Sequence, residues 1–543
     1  MKQSHQALPA RVDVLVVGLG PVGATAANLL GRYGVRTLAI DKAPDLFLAP
    51  RAIALDNEAL RILQMAGLED GAFATCGIDK VQMHSPLFGA YARANTAGQT
   101  DGHPRLATFY QPELESVLRA RLTGHTCVQT ALSTELVEFT QDGQGVTATL
   151  RQADGRRSVV RAAYLVGVDG AGSHVRHLAG LKFHGKTFVQ DWLVVDALDV
   201  PNPINHVEFV CDPRRPTPHM VAPGGRQRWE FMLRPGETRE QMEHPETIRA
   251  LLAPWCKTED ITIERTAVYR FHARIVERFS KDRVFLAGDA AHITPPFVGQ
   301  GLVAGLRDVA NLCWKLAWVV QKRAPQALLD SYDTERRPHA RSIINMALLM
   351  GGLVMPRNRF TAFAVHGLMA TLQCLPLTRR WFGDLQIKPA NRFCSGLFQP
   401  GRSGARLVRG GQLPQGLLRR DTRSPCVPSD DVLGQKLVIV GFGCNPADHL
   451  SAQLQSAWRH AGGATLEVRH RGQPGQGGQS WEDMTDALVP GAAPVGWVAV
   501  VRPDRTVLHD GPLSQLRGIV CESLVLLGCD APVFAAMSLP IPM

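Results

Sequence analysis

The sequence predicts an α/β protein with a Rossmann-like dinucleotide-binding unit at its start, an antiparallel sheet in its middle and a smaller α/β domain at its end. Three observations predict this arrangement. A glycine-rich turn between two apolar runs opens the chain, short alternating runs such as Trp192–Leu198 and Trp229–Leu233 follow, and a strand–helix–strand order begins near residue 430. The 543 residues are enough for about three or four domains.

The first element is the apolar run Val12–Val17, whose β-branched residues predict a strand buried on both faces. The glycine-rich stretch Gly18–Gly23 follows and leads into Ala24–Tyr33, a small-residue segment that predicts a helix. A second predicted strand, Val35–Ile40, ends at Asp41, at about the 20-residue spacing typical of a dinucleotide-binding βαβ unit. This order predicts binding of an adenine dinucleotide.

The polar and glycine residues of this unit have separate physical tasks. Gly18 allows a tight turn, Gly20 lets the backbone approach a pyrophosphate, and Gly23 lets the helix pack closely on the strand. The helix N-terminus offers unpaired N–H groups and a positive dipole end to phosphate oxygens. Asp41 can accept hydrogen bonds from the hydroxyls of the adenosine ribose.

The composition is that of a folded protein with no specialisation for nucleic acid. Hydrophobic residues make up 45% and charged residues 20% of the chain, and 59 Lys and Arg against 49 Asp and Glu give a net charge of +10. The arginines are spread along the chain, and the densest group, Arg419–Arg423, has no aromatic residues between its charges. We therefore expect no nucleic-acid partner, and we expect the charge to serve solubility and the attraction of anionic substrates.

Cysteine usage and hydropathy favour a soluble protein of a reducing cytoplasm. The 11 cysteines include no Cys-x-x-Cys pair, which argues against a disulfide framework and against a metal site. The first apolar run leads into glycines rather than into a cleavage site, so no secretory signal is expected. The stretches Ile343–Met355 and Phe360–Leu377 are too short or too interrupted to span a bilayer, so both predict helices packed in a core, and no membrane partner is expected.

Two later motifs narrow the choice of dinucleotide. Asp169 follows one predicted strand in the sequence Asp-Gly, and Asp289 follows another in the sequence Gly-Asp. The second motif continues through Pro296 and Gly299–Gly301 into a predicted helix that contains Asp308. Each motif alone is compatible with a simple strand and turn. Their order, and their distances from the first fingerprint, make the combination highly specific.

With these three motifs the sequence resembles the class A flavoprotein aromatic hydroxylases, which are single-component monooxygenases. The resemblance implies FAD as the dinucleotide and a Rossmann-like FAD-binding domain of the para-hydroxybenzoate hydroxylase type. It also implies that Asp289 binds the ribityl chain, that the backbone around Gly299–Gly301 faces the flavin pyrimidine edge, and that Asp169 serves both FAD and the nicotinamide cofactor. Arg51 and Gln111 match flavin-contacting positions, although alone they could equally be a surface charge and a helix cap.

The fingerprint and the resemblance together predict one set of cofactor-binding residues. These are Gly18, Gly20, Pro21, Gly23, Asp41, Lys42, Arg51, Gln111, Asp169, Gly288, Asp289, Pro296, Gly299, Gln300 and Gly301.

Within that family, the resemblance is to the 3-(3-hydroxyphenyl)propionate and 3-hydroxycinnamate hydroxylases, and it covers nearly the whole chain. It rests on the segments Pro50–Arg61, Cys211–Pro216, Glu230–Met232, Pro235–Glu237, Glu335–His339 and Gly441–Pro446. The sequence departs from the wider superfamily after Gly301. Many members have an aromatic residue or Met there, then Asn, then Ser or Thr, whereas this chain has Leu302, Val303 and Ala304.

The resemblance implies that NADH or NADPH reduces FAD and that O₂ provides one oxygen atom for the ring carbon ortho to a phenol hydroxyl. The expected reaction converts 3-(3-hydroxyphenyl)propionate to the catechol 3-(2,3-dihydroxyphenyl)propionate. The protein then has to hold the phenol, increase its electron density and exclude water. A carboxylate on the substrate would need a cationic or N–H partner.

Candidate groups for the base and for the carboxylate partner are fewer and less specific. They are Asp56, His206, Arg214, Arg215 and His292. Each also has a structural interpretation, since Asp56 can cap the helix that follows it and His292 can pack behind the Gly-Asp motif.

The motifs also predict the domain organisation. A discontinuous FAD domain comprises about 1–75, 105–180 and 281–345, and a substrate domain is inserted at about 76–104 and 181–280. A helical connection, 346–405, precedes a C-terminal domain, 406–543. The element order in the last domain resembles the thioredoxin-like domain of the phenol-hydroxylase branch: strand Lys436–Val440, helix Ala447–Ala461, strand Ala464–His470, hairpin Val495–Leu508 and helix Leu513–Leu524. Cys444 has no partner in a Cys-x-x-Cys pair, so we expect a module without redox activity.

Other functions stay open on the sequence alone. The same chemistry could act on another phenol, of the resorcinol, hydroxybenzoate or polyketide type, and the chain could instead be a flavin-binding module without turnover. A plain NAD-dependent dehydrogenase would explain neither the Gly-Asp motif nor the C-terminal extension. No Trp-x-Trp-x-Ile-Pro pattern of a flavin-dependent halogenase occurs among the nine tryptophans. The C-terminal domain is compatible with a homo-oligomer.

Overall fold

The computed structural model describes residues 7–46, 48, 51–356, 358–374, 389–473 and 480–529. Pro50, the end of the predicted helix Phe360–Leu377 and the last residues of the C-terminal domain lie outside the described residues.

Most of the strands belong to three sheets. The strands before residue 180 are β1 (Arg11–Val17), β2 (Thr37–Ile40), β3 (Ala54–Asp56), β4 (Thr75–Gly77), β5 (Lys80–Ser85), β6 (Gly89–Asn95), β7 (Gln99–Thr100), β8 (His103–Pro104), β9 (Leu106–Phe109), β10 (Val128–Ala131), β11 (Thr134–Asp142), β12 (Gly145–Gln152) and β13 (Arg157–Gly167). The later strands are β14 (Phe183–Leu198), β15 (Val207–Val210), β16 (Thr217–Ala222), β17 (Arg226–Met232), β18 (Thr262–Val276), β19 (Ser280–Lys281), β20 (Val284–Leu286), β21 (His292–Ile293), β22 (Leu417–Arg419), β23 (Val427–Pro428), β24 (Leu437–Phe442), β25 (Gly463–Arg469), β26 (Ser480–Asp483), β27 (Trp497–Val501) and β28 (Val507–Pro512).

The helices lie between and beside these strands. They are α1 (Pro21–Arg32), α2 (Asn57–Met65), α3 (Gln111–Leu122), α4 (His174–Leu178), α5 (Arg239–Met242), α6 (Pro245–Leu252), α7 (Gly301–Val320), α8 (Ser331–Val354), α9 (Arg359–Cys374), α10 (Ser429–Leu433), α11 (Ala452–His460) and α12 (Leu516–Leu526).

The first sheet has eight strands, of which β10, β2, β1, β13 and β20 run parallel. The register places Val17 of β1 beside Ile40 of β2 and beside Gly167 of β13. The carboxyl ends of these strands therefore meet at one edge, and α1 packs there against α3 and α7. Ligands of open parallel sheets bind at this edge.

The middle sheet also has eight strands, in the order β21, β18, β14, β17, β16, β15, β5 and β6, and all neighbours are antiparallel except β15 and β5. Its side chains alternate between two faces. The outer face carries Leu193, Trp229 and Phe231 and is covered by α5 and α6. The inner face, which carries Trp192 and Arg228, is turned towards the first sheet's unit: Trp192 packs on Phe297, and Arg228 bonds the Arg51 carbonyl oxygen.

The C-terminal sheet has seven strands, in the order β23, β22, β26, β25, β24, β27 and β28. Its three strands β26, β25 and β24 run parallel, and β27 and β28 pair antiparallel at one side. One face joins the main core through Ile439 and Val500, while the other packs a separate apolar cluster around Val440. Trp318 of α7 donates its indole N–H to the carbonyl of Ala461 at 2.9 Å, so the C-terminal unit is continuous with the rest of the core.

Buried ion pairs also fasten the C-terminal sheet to the rest of the chain. Arg502, beside β27, lies 2.7 Å from Glu335 of α8, and Lys315 of α7 lies 2.7 Å from the same carboxylate. Arg61 of α2 makes two hydrogen bonds of 2.7 Å to Asp430 of α10. Because a buried charge that loses its partner costs several kcal/mol, these pairs favour one fixed placement of the C-terminal sheet.

Observed elements follow the predicted order, with shifts at their ends. α1 begins at Pro21 rather than at Ala24, because Pro suits the first helical position. The helix predicted over 447–461 is a short 3₁₀ turn, Pro446–His449, followed by α11, whose N-terminus is capped by Ser451. α8 continues through residue 345, the predicted end of the FAD domain.

The two apolar stretches predicted as core helices correspond to the second half of α8 and to α9. Among the residues that the structure describes, no helix combines the length and the apolar character needed to cross a bilayer. α9 packs against the core with one side only. It buries Ala362 and Met369, but Phe360 and Phe363 are exposed, because only one side of α9 packs against the middle sheet.

We expect the Glu335→Gln substitution to lower the free energy of unfolding by about 3 kcal/mol, because it leaves Arg502 and Lys315 buried without their carboxylate. The control is Glu135→Gln, which breaks an exposed pair with Arg151 and should cost less than about 1 kcal/mol. Urea unfolding of both variants measures the difference. Equal effects would contradict a fastening role for the buried pair.

The same pairs predict acid sensitivity. Burial alone would raise the pKa of Glu335 and of Asp430, but Arg502 and Arg61 respectively outweigh it and hold both pKa values below their usual range. A carboxyl with a lowered pKa in the folded state stabilises the fold above its unfolded pKa, about 4, and that stability is lost as the pH falls. We expect the thermal midpoint to fall below about pH 4, and less steeply in the Glu335→Gln variant. Calorimetry across this range tests the slope.

Candidate active site

The turn after β1 contains glycines for different steric reasons. Gly18 has φ = +104°, and a Cβ there would lie 2.5 Å from the Val168 carbonyl oxygen. A Cβ on Gly23 would overlap the Gly18 carbonyl oxygen. Gly20 differs, because no heavy atom lies within 4 Å of the place a Cβ would take. The fold itself requires Gly18 and Gly23, whereas Gly20 leaves open space at the N-terminus of α1, where Pro21 is the first residue.

Asp41 lies directly after β2 and stabilises the glycine turn that follows β1. One carboxylate oxygen accepts the Leu19 N–H at 2.7 Å, and the other accepts the Ala43 N–H at 2.8 Å. A carboxylate has about four acceptor sites, so Asp41 keeps capacity for hydroxyl donors. The side chain is partly exposed, and the neighbouring Lys42 is exposed.

Asp169 lies after β13, close behind the glycine turn. Its Oδ2 accepts the N–H groups of His174 and Val175 at 2.7 and 3.1 Å, which fixes the start of α4. Its Oδ1 is buried and has no hydrogen-bond partner. A Cβ added to Gly18 would lie 2.9 Å from the Asp169 Cα, so the unpartnered oxygen belongs to the same small region as the glycine turn.

Asp289 lies after β20 in a 3₁₀ turn, Gly288–Ala290, at the same edge of the first sheet. Within the described ranges its carboxylate makes no hydrogen bond or ion pair. Burial raises the pKa of Asp289, and the charges of His292 and Arg51 only partly offset this rise. An acceptor without a protein partner is what a chain of ligand hydroxyls requires.

Asp308 of α7 holds this turn from behind. Its Oδ2 accepts the Gly288 N–H at 3.1 Å and lies 2.6 Å from His292 Nε2, and its Oδ1 accepts the Arg336 Nε–H at 3.0 Å. Burial alone would raise the pKa of Asp308, but His292 and Arg336 outweigh it and lower that pKa. The carboxylate therefore stays charged and keeps the turn in place.

The loop before α7 ends in a second fixed turn. The 3₁₀ segment Pro296–Val298 is followed by Gly299, which has φ = +61°. The side chain of Gln300 is buried, donates to Asp56 at 3.2 Å and accepts from Arg307 at 2.9 Å. These bonds fix the backbone that leads into α7, whose first N–H groups have no partner within the helix.

Gln111, the first residue of α3, holds a third loop in the same region. Its Oε1 accepts the backbone N–H groups of Arg51 and Ala52, each at 3.0 Å. The exposed guanidinium of Arg51 lies 5.9 Å from the centroid of the Tyr269 ring on the inner face of the middle sheet. Gln111 therefore positions the Arg51 loop between the two sheets.

These groups fit FAD. The open space at Gly20 and the N-terminus of α1 can take the pyrophosphate, while the free acceptor sites of Asp41 and Asp289 can take ribose and ribityl hydroxyls. The unpartnered oxygen of Asp169 lies beside that space. The N-terminus of α7 after Gly299 can face the flavin ring. Bound there, FAD would supply the activation of O₂ that side chains cannot perform.

Opposite the Gly299 turn, the inner face of the middle sheet is aromatic. The ring centroid of Phe297 lies 5.8, 5.9 and 6.1 Å from those of Phe188, Trp192 and Phe271. Trp192 also stacks on Phe271 at 5.5 Å, and its indole N–H is buried without a partner. This aromatic cluster can enclose a flat apolar ring and exclude water.

Further along the same face the residues are charged. Arg228 Nε donates to Asp196 at 2.6 Å, and Arg265 lies 3.2 Å from the same carboxylate. Glu230 shares the strand and the face of Arg228 but makes no hydrogen bond or ion pair in the part of the chain that the structure describes. Burial raises the pKa of Glu230, although Arg228 opposes that rise.

Of the predicted catalytic candidates, two lie close to predicted cofactor-binding residues, and the others lie farther away. Asp56 caps α2 by accepting the Ala59 N–H at 2.9 Å, and it pairs with Arg307 at 2.7 Å. His292 is fully buried behind the Gly-Asp turn with one ring nitrogen on Asp308. Both lie close to predicted cofactor-binding groups and are committed to protein partners.

The other candidates lie elsewhere on the middle sheet. His206 precedes β15 and contacts Asn205, and strand alternation places it on the outer face. Arg214 pairs with Asp212. Arg215 forms an ion pair with Glu237 and donates a hydrogen bond to the Met232 carbonyl oxygen, which stabilises the end of β17. The structure does not bring these three together with the inner face.

Sequence reasoning missed Asp308 as a brace, and it missed Asp196, Arg228 and Glu230 as a charged group on one face. A signal was present in β17, which reads Arg-Gln-Arg-Trp-Glu-Phe-Met. Charged residues at every second position of a strand indicate a polar face, and the aromatic residues between them indicate a buried opposite face.

The structure explains the departure from the superfamily pattern at Val303. The side chain of Val303 is fully buried in the main core and makes an apolar contact there.

The first sheet carries a glycine turn and has an aspartate after each of three strands, and the inner face of the antiparallel middle sheet covers the same edge. These features together define a flavoprotein of the aromatic hydroxylase type. Comparison with known proteins agrees. The family model described as FAD binding domain matches residues 11–347, and the model described as HcaD C-terminal domain matches residues 410–522. The chain belongs to this FAD-binding family of aromatic-ring monooxygenases.

Two similar sequences carry the same name. The 3-(3-hydroxy-phenyl)propionate/3-hydroxycinnamic acid hydroxylase of Klebsiella pneumoniae (strain 342) is 36% identical over 513 residues, which cover 91% of each chain. The enzyme of that name from Escherichia coli (strain K12) is 35% identical over 467 residues, 84% of this chain and 83% of its own. Among solved structures, the flavin-dependent monooxygenase PieE, in complex with FAD and substrate, has a TM-score of 0.79 at 22% identity over 96% of this chain and 100% of its own. That likeness shows the shared fold.

Gly20→Ala should separate cofactor binding from folding. A Cβ at Gly20 meets no protein atom, but it enters the space predicted for the pyrophosphate. We expect the apoprotein to unfold within about 1 kcal/mol of the parent and the dissociation constant for FAD to rise at least about 10-fold. The control is Gly518→Ala in α12, which also meets no atom but lies in the C-terminal domain. Unchanged FAD affinity, measured by flavin fluorescence quenching, would argue against this placement.

Proposed function

We propose that the protein hydroxylates 3-(3-hydroxyphenyl)propionate, or the closely similar 3-hydroxycinnamate, at the carbon ortho to the phenol hydroxyl, with NADH or NADPH and O₂ as co-substrates. The observation that carries the proposal is the match to relatives of that name over 84–91% of this chain. It includes the β17 segment that forms part of the inner face.

The contacts of the site support each requirement of this chemistry. The cofactor-binding residues named above hold FAD between the carboxyl edge of the first sheet and the inner face of the middle sheet. Phe297 and its aromatic neighbours hold the substrate ring and exclude water. A substrate carboxylate is favoured because Arg51, Arg228 and Arg265 outnumber the acidic groups Asp196 and Glu230 along this face.

The catalytic assignments of Asp56 and His292 become positioning roles in this proposal. Asp56 fixes the Gln300 side chain and Arg307, and His292 fixes Asp308 behind the Asp289 turn. Each acts through another residue on the placement of FAD. The structure gives His206 and Arg215 no comparable connection to the site.

We also propose that the C-terminal domain is a thioredoxin-like module without redox function. The order of parallel β24 and β25 around α11, followed by the β27–β28 hairpin and α12, supports that fold. Burial raises the pKa of the Cys444 thiol to about 11, so the reactive thiolate is scarce at neutral pH. A cytoplasmic location and a homo-oligomer remain parts of the proposal.

The direct test is oxidation of NADH and of NADPH by the purified protein with and without 3-(3-hydroxyphenyl)propionate, with H₂O₂ measured alongside. We expect stimulated oxidation, little peroxide and a catechol product identified by mass spectrometry, because an enclosed ring suppresses wasteful release of peroxide. 3-Phenylpropionate, which lacks the hydroxyl, is the matched control and should give no catechol. Stimulation that yields mostly peroxide would shift the assignment to another phenol. Bound FAD without stimulation by any phenol would contradict the proposed function.

A further inference from the structure

Glu230 differs from the other buried carboxylates of the described residues in having no protein partner. Ten Asp and Glu residues are buried there: Asp56, Glu115, Asp196, Glu230, Asp308, Glu335, Asp430, Asp483, Asp504 and Asp510. The other nine each accept at least one hydrogen bond from the protein. Asp289 also lacks a protein partner among the described residues, but it is only half-buried and lies at the cofactor edge. A buried polar group is normally hydrogen-bonded, so the one exception within this buried set requires an explanation.

The position of Glu230 makes a ligand the natural explanation. Within β17 it lies between Arg228 and Met232 on the inner face. Arg228 contacts the Arg51 loop, and Met232 pairs with Trp192, which packs on Phe297. Glu230 therefore faces the gap between the two loops that are predicted to contact the flavin.

The neighbours of Glu230 on the sheet do not satisfy it. Val194 is the residue opposite it on β14, and Ala267 lies beyond Val194 on β18. The guanidinium of Arg228 is directed to Asp196 and to the Arg51 carbonyl oxygen. Glu230 is only 8% exposed, yet its carboxylate oxygens are not sealed off from the surface, so a ligand can reach them.

We propose that Glu230 is the group that accepts the hydrogen of the substrate's phenol hydroxyl, an assignment that rests on the proposed function. The phenol O–H bond breaks as an O–H bond forms on the Glu230 carboxylate, and the electron pair stays on the phenol oxygen. Delocalisation of that pair into the ring increases electron density at the ortho carbon that receives the new oxygen. The ortho carbon loses its own hydrogen as a proton, which ends in the water formed from the second oxygen atom of O₂. The proton on Glu230 returns to the original phenol oxygen, so the residue is unchanged over one turnover.

The surroundings of Glu230 suit this task. Burial raises its pKa, with Arg228 as the opposing charge, so its basicity lies nearer neutral pH than that of an exposed carboxylate. Asp196 and Arg265 also face it from β14 and β18 and largely compensate each other. The same charge would repel a substrate carboxylate, so it directs the phenol end of the substrate, rather than the carboxylate end, towards β17.

The first test measures binding to the oxidised holoenzyme without turnover. Dissociation constants are measured for 3-(3-hydroxyphenyl)propionate and for 3-phenylpropionate by perturbation of the flavin spectrum. We expect Glu230→Gln to weaken binding of the phenol about 10-fold, because a charge-assisted hydrogen bond becomes a neutral one, and to leave the ligand without a hydroxyl unaffected. Equal changes for both ligands, or none, would overturn the proposal.

The second test measures turnover. We expect Glu230→Gln to lower kcat/KM at least about 100-fold and to remove the acid limb of the pH profile, on which activity rises as the carboxyl loses its proton. A ring-fluorinated substrate has a more acidic phenol and depends less on a base, so the deficit should shrink with it. A merely structural role would lower both substrates alike and would leave the limb in place. Glu230→Asp, which keeps a carboxylate, should retain the limb even where activity falls.

The matched control is Glu208→Gln in β15 of the same sheet. Val207 pairs with Met220, which in turn pairs with Arg228, so Val207 lies on the inner face and the next residue, Glu208, lies on the outer face. We expect its pH profile and its preference for the phenol to match those of the parent. If the parent forms catechol and Glu230→Gln behaves like this control, the assignment of Glu230 fails while the proposed function stands. If the parent itself forms no catechol from any phenol, the proposed function fails, and the binding test alone decides whether Glu230 recognises a hydroxyl.

Discussion

The buried carboxylate of Asp308 is the constraint on which the cofactor edge depends. It bonds the Gly288 N–H, His292 and Arg336, and thereby connects the end of β20 to α7 and α8. A charge with no access to water is tolerated only when its partners are complete, so the three elements cannot move independently. Asp289, the next residue after Gly288, lies at the edge of the sheet and makes no hydrogen bond or ion pair within the described part of the chain, which suits the proposed contact with ligand hydroxyls.

Much of this edge could be predicted from the sequence because its causes are local. The positive φ of Gly18, the close approach of Gly23 to the Gly18 carbonyl and the strand-end position of Asp41 depend on residues near in sequence. Binary patterning likewise predicts β17 and its two faces. The exposure of Phe360 and Phe363 on α9 could not be predicted in this way, because whether one side of an apolar helix is covered depends on distant parts of the chain.

The substrate side of the site could not be predicted in the same way. The sequence predicts that His206 and Arg215 lie in the substrate-domain sheet, but the register of β15 and the pairing of Arg215 with Glu237 direct both side chains away from the inner face. Conversely, Glu230 is distinguished only by what it lacks. Arg228, its neighbour on the same face, pairs with Asp196 instead of with Glu230. Arg228 and Asp196 are 32 positions apart in the sequence, so the sequence alone does not indicate that Glu230 lacks a partner among the described residues.

The C-terminal domain takes part in this arrangement through two consecutive residues of α8. Glu335 bonds Arg502 of the C-terminal sheet and Lys315 of α7, whereas Arg336 bonds Asp308 behind the Gly-Asp turn. Successive residues of a helix project about 100° apart, so one turn of α8 contacts both regions at once. Detaching the C-terminal sheet would remove Arg502, one of the two buried cations that bond Glu335, from the helix that also anchors Asp308. Through α8 the C-terminal domain thereby stabilises the turn that carries Asp289.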